Sequence, residues 1–462
     1  MKKNARWIRI DSDAAAGTVK SHISTSRAMR PFFATSEFHA QYDVDIDCPK
    51  SILHIPALSL LLPVAWITGA DVHADELDQD FAASMAAIQT DFRQIYPGAP
   101  LRSRLYAAKR VKNQDAATSA ALLFSGGVDA TFSLFNNLHL KPSLIMIFGG
   151  DIPASNQPYI ELTKNRYSAL AASLDLTIHY VHTNALELWN HRRLNHLFRR
   201  YQGDMEGDLW RGMGYALGHI GQTAPLSSGR FNQLIFAAWQ DTSDAATLQK
   251  FHDASAPGRD EKITWAGLRV RHDGCLQRLD KVQRMKEFLR QNHVPLRVCW
   301  RRPKLLQQNT LLNCGQCEKC LRTIAALALA GIDANTCGLP LDVNTPHLLK
   351  ALFAEKKLPA SKIELFWLPM QNKIPPTLEN DRFGMQHFFA WFTGKDLLTF
   401  ARPYSPRFSA EGLYYAFPYW LAISIRWVFE SMLTLAQKIG LARKQPFAPG
   451  ADVTGRYHFG KR

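Results

Sequence analysis

Two groups of residues have the types and spacing to do chemistry, and the first is a glycine-containing turn. Ser125-Gly126-Gly127-Val128-Asp129 follows the apolar run Ala120–Phe124 and precedes a helical pattern. Two glycines let the backbone turn sharply and approach an anion, and the N–H groups that open the following helix can hold phosphate oxygens. This order of strand, turn and helix predicts a phosphate-binding loop. The alternative is an ordinary Ser-Gly-Gly turn.

Three side chains around this turn could complete a phosphate site. Ser125 and Thr131 carry hydroxyl groups that can donate hydrogen bonds to phosphate oxygens. Asp129 would repel a bare phosphate, so a functional Asp129 is expected to meet Mg²⁺ that bridges a pyrophosphate. The alternative role for Asp129 is that of a residue at the helix start.

The second group is a cluster of cysteines. Cys314, Cys317 and Cys320 follow one another at intervals of three, and Cys299 ends a strand predicted just before them. Four thiolates make a closed site that suits tetrahedral Zn²⁺ in a structural role. An iron–sulfur cluster is the rival, but the fourth cysteine of a bacterial ferredoxin run would fall at Ile324.

The remaining cysteines, Cys48, Cys275 and Cys337, have no such spacing and are expected to be small buried residues. Seven cysteines, spread unevenly, argue against a secreted disulfide framework and for a reduced compartment.

The turn resembles the SGGxDS pyrophosphate loop of the N-type ATP pyrophosphatases, also called the PP-loop superfamily. This resemblance implies cleavage of ATP to AMP and pyrophosphate while an acceptor oxygen is adenylated. It assigns the nucleotide contacts to Ser125, Gly126, Gly127, Val128, Asp129 and Thr131. The sequence departs from the pattern at Ala130, where the superfamily usually has serine, so one hydroxyl group is lost beside Thr131.

The cysteine cluster downstream of this loop is similar to the zinc site of the 7-cyano-7-deazaguanine synthase (QueC) family. The similarity covers about residues 118–332 and includes Lys281, in the helix-opening run Leu-Asp-Lys-Val. It implies a ligase that forms C–N bonds, with Asp129 and Lys281 as catalytic residues and ATP, Mg²⁺ and Zn²⁺ as cofactors. Arg322, after the cysteines, is expected to cap or pair near their helix.

Two departures bear on the substrate. Phe148-Gly-Gly-Asp151 stands where the QueC family has an aromatic-Gly-Gln-Arg-His run, and no Asp-Tyr-Ser-Gly-Tyr-Pro-type segment follows Ala238. The resemblance implies amidation of a deazaguanine carboxylate, or of a macromolecular carboxylate as in QueC-like proteins of bacterial defence systems. The alternatives are a tRNA thiolation enzyme of the same superfamily and a non-catalytic nucleotide-binding partner protein.

These residues must be positioned by strands and helices. In the sequence, β-type runs alternate with helical patterns, which predicts an α/β fold with a doubly wound parallel sheet. The predicted strands are Ala120–Phe124, Leu144–Phe148, Leu176–Val181, Gln233–Ala238 and Leu296–Trp300. The predicted helices between them are Thr131–Leu138, Pro158–Leu174, Leu186–Tyr201 and Leu279–Gln291.

The chain divides into three regions that differ in composition and in secondary-structure pattern, and these regions predict the domains. Residues 1–115 form an accessory α+β domain with a helix at Glu76–Tyr96, residues 116–337 form the nucleotide domain, and residues 338–462 form a helical, basic extension. The net charge of +15 in 462 residues favours polyanionic partners such as nucleotides, tRNA or an acidic membrane surface, or it reflects only a basic surface.

Targeting signals are weak. The first residues lack an apolar segment that could serve as a signal peptide, which predicts a cytoplasmic protein. The uncharged stretch Ser51–Ala70 contains His54, Pro56 and Pro63 and predicts a buried strand followed by a helix. Gly412–Phe429 is interrupted by Arg426, so no membrane span is expected.

Overall fold

The computed structural model describes residues 5–150, 152–202, 208–239, 255–299, 312–355 and 358–401. The strands in these ranges are β1 (Trp7–Ala15), β2 (Thr18–Thr25), β3 (Glu37–Tyr42), β4 (Asp71–Asp78), β5 (Leu105–Val111), β6 (Ala120–Leu123), β7 (Ser143–Phe148), β8 (Ile178–Thr183), β9 (Gln233–Ala237) and β10 (Arg269–Asp273). They form one mostly parallel sheet in the order β10-β9-β6-β7-β8-β3-β2-β1-β4-β5.

The half of the sheet that carries the glycine turn is parallel from β10 to β8. Neighbouring residues of β6 enter different hydrophobic cores, with Leu122 in one and Leu123 in the other. Both faces of this half are therefore covered, as parallel sheets require. The α/β class predicted from the sequence is confirmed at this level.

Four of the five predicted strands are present with small shifts in their ends, but the fifth is wrong. Residues 296–299 form no strand, residue 300 lies outside the described ranges, and β10 takes the edge position instead. The physical reason is that this segment bonds to loops. Leu296 N donates to the Cys337 carbonyl, Arg297 N to the Gly126 carbonyl and Val298 N to the Asn313 side chain.

The other half of the sheet is of mixed direction and joins the first directly. β8, β3, β2 and β1 pair antiparallel in turn, whereas β1, β4 and β5 are parallel. Ile8 and Ile10 of β1 are buried while Arg9 and Asp11 are exposed, so only one face of this half carries the core. The predicted boundary near residue 115 stays a prediction, within a sheet that continues across it.

Helices cover the sheet and fill the connections. The described α-helices are Lys50–Leu53, Ile55–Thr68, Gln79–Ile95, Val128–Asn137, Gln157–Ser173, His191–Phe198, Tyr215–Gly221, Ala224–Ser227, Arg278–Arg284, Lys286–Asn292, Glu318–Leu329, Thr345–Ala354, Ala360–Lys362, Leu368–Gln371 and Met385–Thr393. Two π-helical turns, Trp210–Gly214 and Ile363–Trp367, lie beside the site described below.

The strand predicted within residues 51–70 is wrong, because that stretch is helical from residue 50. The helix Ile55–Thr68 is buried on all sides, and Pro56 lies in its first turn, where its missing N–H is tolerated. The helix predicted at residues 76–96 is Gln79–Ile95, capped by Asp78, which accepts from Phe81 N.

No helix in the described ranges is long and apolar enough to cross a membrane. The aromatic segment Gly412–Phe429 and the basic residues of the tail lie outside the described residues. The described parts of the predicted C-terminal region are residues 338–355 and 358–401, and Phe353, Trp367 and Phe392 pack into the same core as the helix Glu318–Leu329.

Candidate functional site

The glycine turn lies between β6 and the helix Val128–Asn137, as the sequence predicts. Gly126 has φ +73, in the left-handed region, and a Cβ atom there would lie 2.0 Å from Tyr167 Oη. Both facts require glycine at this position, because any side chain meets strain and a collision.

The carbonyl groups of the turn are held from one side. Arg297 N donates to the Gly126 carbonyl at 2.7 Å, and Arg297 Nε donates to the Ser125 carbonyl at 2.8 Å. Tyr167 Oη donates to the carbonyls of Gly126 at 3.3 Å and Pro295 at 2.8 Å. Anchored carbonyls fix the turn in one conformation and leave its N–H groups as the edge that can bind a ligand.

The helix that follows has an open N-terminus. Gly127 is its N-cap and supplies no side-chain cap, and Thr131 N makes the first backbone bond, to the Gly127 carbonyl. The N–H groups of Val128, Asp129 and Ala130 therefore have no acceptor within the helix. Such N–H groups, with the positive end of the helix dipole, bind phosphate oxygens.

Asp129 and Lys281, predicted as catalytic residues, are in contact. Lys281 Nζ lies 2.8 Å from Asp129 Oδ1 and donates to the Ala238 carbonyl at 2.5 Å, and the Lys281 side chain is fully buried. Arg278 Nη2 lies 2.5 Å from the second oxygen, Asp129 Oδ2. Burial alone would raise the pKa of Asp129, but the charges of Arg278 and Lys281 outweigh it and hold that pKa well below its usual range.

The two predicted hydroxyl groups have different positions. Ser125 lines the cavity beside the turn, and its Oγ accepts from Gly127 N at 3.4 Å. Thr131 is fully buried, and its Oγ1 has no hydrogen-bond partner among the described residues. Val128, Asp129 and Gly127 also line the cavity.

The cavity in front of the turn has a volume of about 350 Å³, which lies in the range of small-molecule sites. It opens beside β6 and β9, where the strand order reverses, the place where α/β sheets bind ligands. Two acidic side chains in its wall, Asp129 and Glu318, face a larger set of basic ones. The basic residues are Arg211, Arg278, Arg297, Lys319, Arg322 and Lys362. This excess of positive charge suits an anionic ligand.

The four predicted cysteine ligands converge. The Sγ atoms of Cys299, Cys314, Cys317 and Cys320 all lie within 4.8 Å of one another. Cys317 is the N-cap of the helix Glu318–Leu329, and its Sγ lies 3.4 Å from that of Cys320. Four sulfurs at this spacing could hold a metal ion such as zinc.

The electrostatics of the cluster favour a thiolate. Hydrogen bonds from Cys299 first, and from Cys317 and Cys320, hold the pKa of Cys314 well below its usual range. The backbone N–H groups of Gln316 and Cys317 add contacts to Cys314 Sγ at 3.4 and 3.3 Å. A stabilised thiolate is the form of cysteine that binds metals.

The cluster and the cavity share a wall. Cys299 lines the cavity, and so do Glu318, Lys319 and Arg322 from the first turns of the helix that Cys317 caps. A metal held by the cysteines would thus fix the N-terminal end of this helix and, with it, the part of the cavity wall that lies about one helical turn from Cys317.

Several residues of this site were not identified from the sequence, among them Arg278, Arg297, Phe366, Glu318 and Trp239. Arg278 lies one helical turn before Lys281, a spacing that places both on one face and could have been noticed. Arg297 precedes Cys299 by two residues but carries no motif of its own. Phe366 belongs to a distant segment with no chemical signal in the sequence.

No family model matches this chain, and no curated protein or solved structure matches it either.

Proposed function

We propose that this protein is an ATP-dependent ligase of the PP-loop kind, which forms AMP and pyrophosphate while adenylating a carboxylate or amide oxygen. The observation that carries the proposal is the anchored Gly126–Gly127 turn, whose uncapped helix N-terminus opens into a cavity with an excess of positive charge. The proposal includes a doubly wound nucleotide-binding sheet, because the order β8-β7-β6-β9-β10 reverses direction at β6.

In this proposal the pyrophosphate part of ATP binds at residues 125–131. The N–H groups of Val128, Asp129 and Ala130 would donate to phosphate oxygens, with the Ser125 hydroxyl beside them. Arg278 and Arg297 would add positive charge near the oxygens that become negative in the transition state.

The residues present fit a magnesium ion on one condition. Both oxygens of Asp129 are engaged by Arg278 and Lys281, so Asp129 could hold Mg²⁺ only if Arg278 turns towards the phosphates. A bound Mg²⁺ would neutralise charge on the pyrophosphate. Lys281, which is buried and bonded to the Ala238 carbonyl, would keep the carboxylate of Asp129 in position.

The proposed chemistry has two steps. A carboxylate oxygen of the acceptor attacks the α-phosphorus of ATP, the bond from that phosphorus to the bridging oxygen breaks, and pyrophosphate leaves. The nitrogen of ammonia then attacks the carbonyl carbon of the acyl adenylate, AMP leaves, and a proton is released with the amide. The loop N–H groups and the arginines stabilise the first transition state, because negative charge grows on phosphate oxygens there.

The proposed metal is a structural zinc ion bound by Cys299, Cys314, Cys317 and Cys320. The chemistry of the donor set supports this choice, because four buried or half-buried sulfurs leave no position for substrate. The proposed acceptor is 7-carboxy-7-deazaguanine or a macromolecular carboxylate, as the QueC-like resemblance implies.

The test is release of pyrophosphate and AMP from Mg·ATP in the presence of 7-carboxy-7-deazaguanine and ammonium. We expect acceptor-dependent release that Asp129→Ala abolishes. The matched control is Asp280→Asn, since Asp280 lies in the first turn of the same helix as Lys281 and pairs with Lys373 at the surface. Equal rates in wild type and Asp129→Ala would refute the proposal.

One observation favours a second function, tRNA thiolation. Cys299 belongs both to the cysteine cluster and to the cavity wall, so a sulfur carried by the cluster would lie close to a substrate in the cavity. A visible iron–sulfur spectrum and sulfur incorporation into tRNA would support thiolation, whereas about one zinc per chain supports the ligase. Binding of ATP without pyrophosphate release would indicate a non-catalytic nucleotide-binding protein.

A further inference from the structure

The C-terminal region contributes an aromatic side chain to the cavity wall. Phe366 lies in the π-helical turn Ile363–Trp367, outside the stretch that carries the family resemblance. The guanidinium carbon of Arg322 is 3.6 Å from the centre of the Phe366 ring, and that of Arg278 is 5.5 Å from it. One aromatic ring therefore supports two arginines, and π-helical turns of this kind often occur at functional sites.

Arg322 is buried, and two of its nitrogen atoms make no hydrogen bond to any described residue. Its side chain is 5% exposed, and its Nε lies 3.1 Å from Glu318 Oε1 in an ion pair. The N–H groups do not point at that oxygen, so Nε, Nη1 and both Glu318 oxygens make no hydrogen bond among the described residues. Buried donors without acceptors are costly, which indicates that a ligand completes them.

Further unpartnered donors lie in the same wall. Arg278 Nε and Trp239 Nε1 are buried and make no hydrogen bond among the described residues. Both side chains line the cavity, and the Trp239 ring centre is 6.4 Å from that of Phe366. Donor atoms thus outnumber the two acceptor oxygens of Glu318, which is the balance that an oxyanion requires.

The planar guanidinium of arginine matches a carboxylate better than any other side chain does. Arg322 cannot turn freely to a distant ligand, because Phe366 supports one face and Glu318 pairs with one edge. It therefore presents a fixed donor edge to the cavity. The Glu318 oxygens beside it can accept from an N–H group of the same ligand.

We propose that Arg322, held in place by Phe366, binds the carboxylate of the acceptor substrate. This assignment rests on the proposed ligase function, since it names the part of the site where the adenylated group binds. Arg322 is then a substrate-binding residue, and Phe366 is a positioning residue supplied by the C-terminal region. A phosphate of ATP has the same oxyanion chemistry, and the experiment separates the two sources.

The experiment measures equilibrium binding by calorimetry to the full-length protein. The ligands are 7-carboxy-7-deazaguanine, 7-deazaguanine without the carboxylate, and the magnesium complex of α,β-methylene ATP. The variants are Arg322→Lys, Phe366→Leu and Phe366→Tyr. Arg290→Lys is the matched control, because Arg290 pairs with Glu287 and Glu379 at the surface.

We expect wild type to bind the carboxylated ligand more tightly than 7-deazaguanine. Arg322→Lys and Phe366→Leu should weaken binding of the carboxylated ligand about tenfold or more. Arg322→Lys should leave binding of the ATP analogue unchanged, and this comparison uses Arg322→Lys alone because Phe366 also supports Arg278. Phe366→Tyr should restore binding, which a loss of general packing would not explain. Arg290→Lys should match wild type.

Two results would overturn the assignment. Equal weakening of the ATP analogue in Arg322→Lys would mean that the arginine binds a nucleotide phosphate, and unchanged binding of the carboxylated ligand would mean that it binds neither. Phe366→Leu keeps an apolar side chain at its position, so it tests the assignment even where Arg322→Lys fails to fold. Failure of the proposed function is a separate outcome, in which wild type does not bind the ATP analogue at all.

Discussion

Two polar clusters, one in each half of the sheet, contain residue types that do chemistry, and only one has the environment for it. In the N-terminal half, Ser12 Oγ lies 2.8 Å from His54 Nδ1, and His54 Nε2 lies 2.6 Å from Asp75 Oδ1. These are the residue types of a serine hydrolase. Yet Ser12 is 3% exposed and His54 0%, so no substrate can reach the hydroxyl group.

The cluster around the glycine turn is the opposite in two respects. Arg278 Nε, both Glu318 oxygens, and Arg322 Nε and Nη1 are buried and make no hydrogen bond within the described part of the chain, and all three residues line a cavity. In the N-terminal cluster each polar atom has a neighbour, since Ser12 also contacts Ser21 at 2.8 Å and Asp75 pairs with Lys50. Buried polar atoms without hydrogen bonds beside a cavity therefore identify a candidate site better than residue types do.

Disruption of the four-cysteine cluster should give the largest difference in stability between the two halves of the sheet. Cys317→Ser should lower the melting temperature by about 10 °C or more, because a thiolate ligand and the cap of the helix Glu318–Leu329 are lost together. Hydrogen exchange should then rise in residues 312–330 while β1 and β2 keep their protection. Cys275→Ser is the matched control, since Cys275 lies outside the cluster, and it should shift melting by about 2 °C or less.

Equal melting shifts for the two serine variants, or equal loss of protection in β1, would contradict this expectation. The first result would mean that the cysteines hold no metal. The second would mean that the wall of the cavity and the N-terminal half unfold as one unit.

Substitution of a glycine in the turn at residues 125–129 should lower the stability by a smaller amount. Gly126→Ala should lower the free energy of unfolding by about 3 kcal/mol, because alanine at positive φ is strained and its Cβ would collide with Tyr167. Gly229→Ala is the matched control, since Gly229 also has positive φ, +68, but a Cβ atom added there would meet nothing within 4 Å. It should cost only about 1 kcal/mol.

Urea unfolding gives both values, and binding of the ATP analogue completes the comparison. Gly126→Ala should lose measurable binding, because the turn that presents the N–H groups shifts, while Gly229→Ala should bind as wild type does. Normal binding by Gly126→Ala would show that the turn is not the phosphate cradle.

Features that depend on neighbouring residues could be predicted from the sequence. The turn at residues 125–129 is bounded by an apolar strand and a helix, and the spacing of Cys314, Cys317 and Cys320 brings their sulfurs to one end of a helix. These predictions depend mainly on short-range geometry. The structure confirms that the four cysteines lie together. The roles of Asp129 and Lys281 in catalysis stay predictions, although the two side chains are in contact.

The sequence was insufficient where position depends on long-range contacts. β10 has little apolar character, with Val270 between Arg269 and Arg271, so its place at the sheet edge has no local signature. The helix Ile55–Thr68 is apolar on every side, so its periodicity cannot distinguish it from a strand. Phe366 reaches Arg322 across more than forty residues, and only the packed structure brings them together.

The smallest predicted effect tests whether the N-terminal cluster is purely structural. Burial is the largest influence on His54 and lowers its pKa from the ordinary value, although Asp75 acts in the other direction. Below about pH 6.5, the ordinary value for histidine, the unfolded chain binds a proton at this residue that the folded chain does not. Stability should therefore fall as the pH drops through that region, because the unfolded state binds more protons.

His54→Gln should reduce this pH dependence, at a cost of about 1–2 kcal/mol at pH 7.5 for the altered bonds to Ser12 and Asp75. The measurement is urea unfolding at pH 7.5 and 5.5, with His22→Gln as control, since His22 is exposed on the neighbouring strand. The low pKa of Asp75, held down against burial by Lys50 and His54, acts only in more acidic solution and does not interfere. If His54→Gln kept the full slope between the two pH values, the buried histidine would not be the titrating group. If it also changed the proposed ATP cleavage, the two clusters would be coupled, and the contrast between the N-terminal cluster and the proposed site would fail.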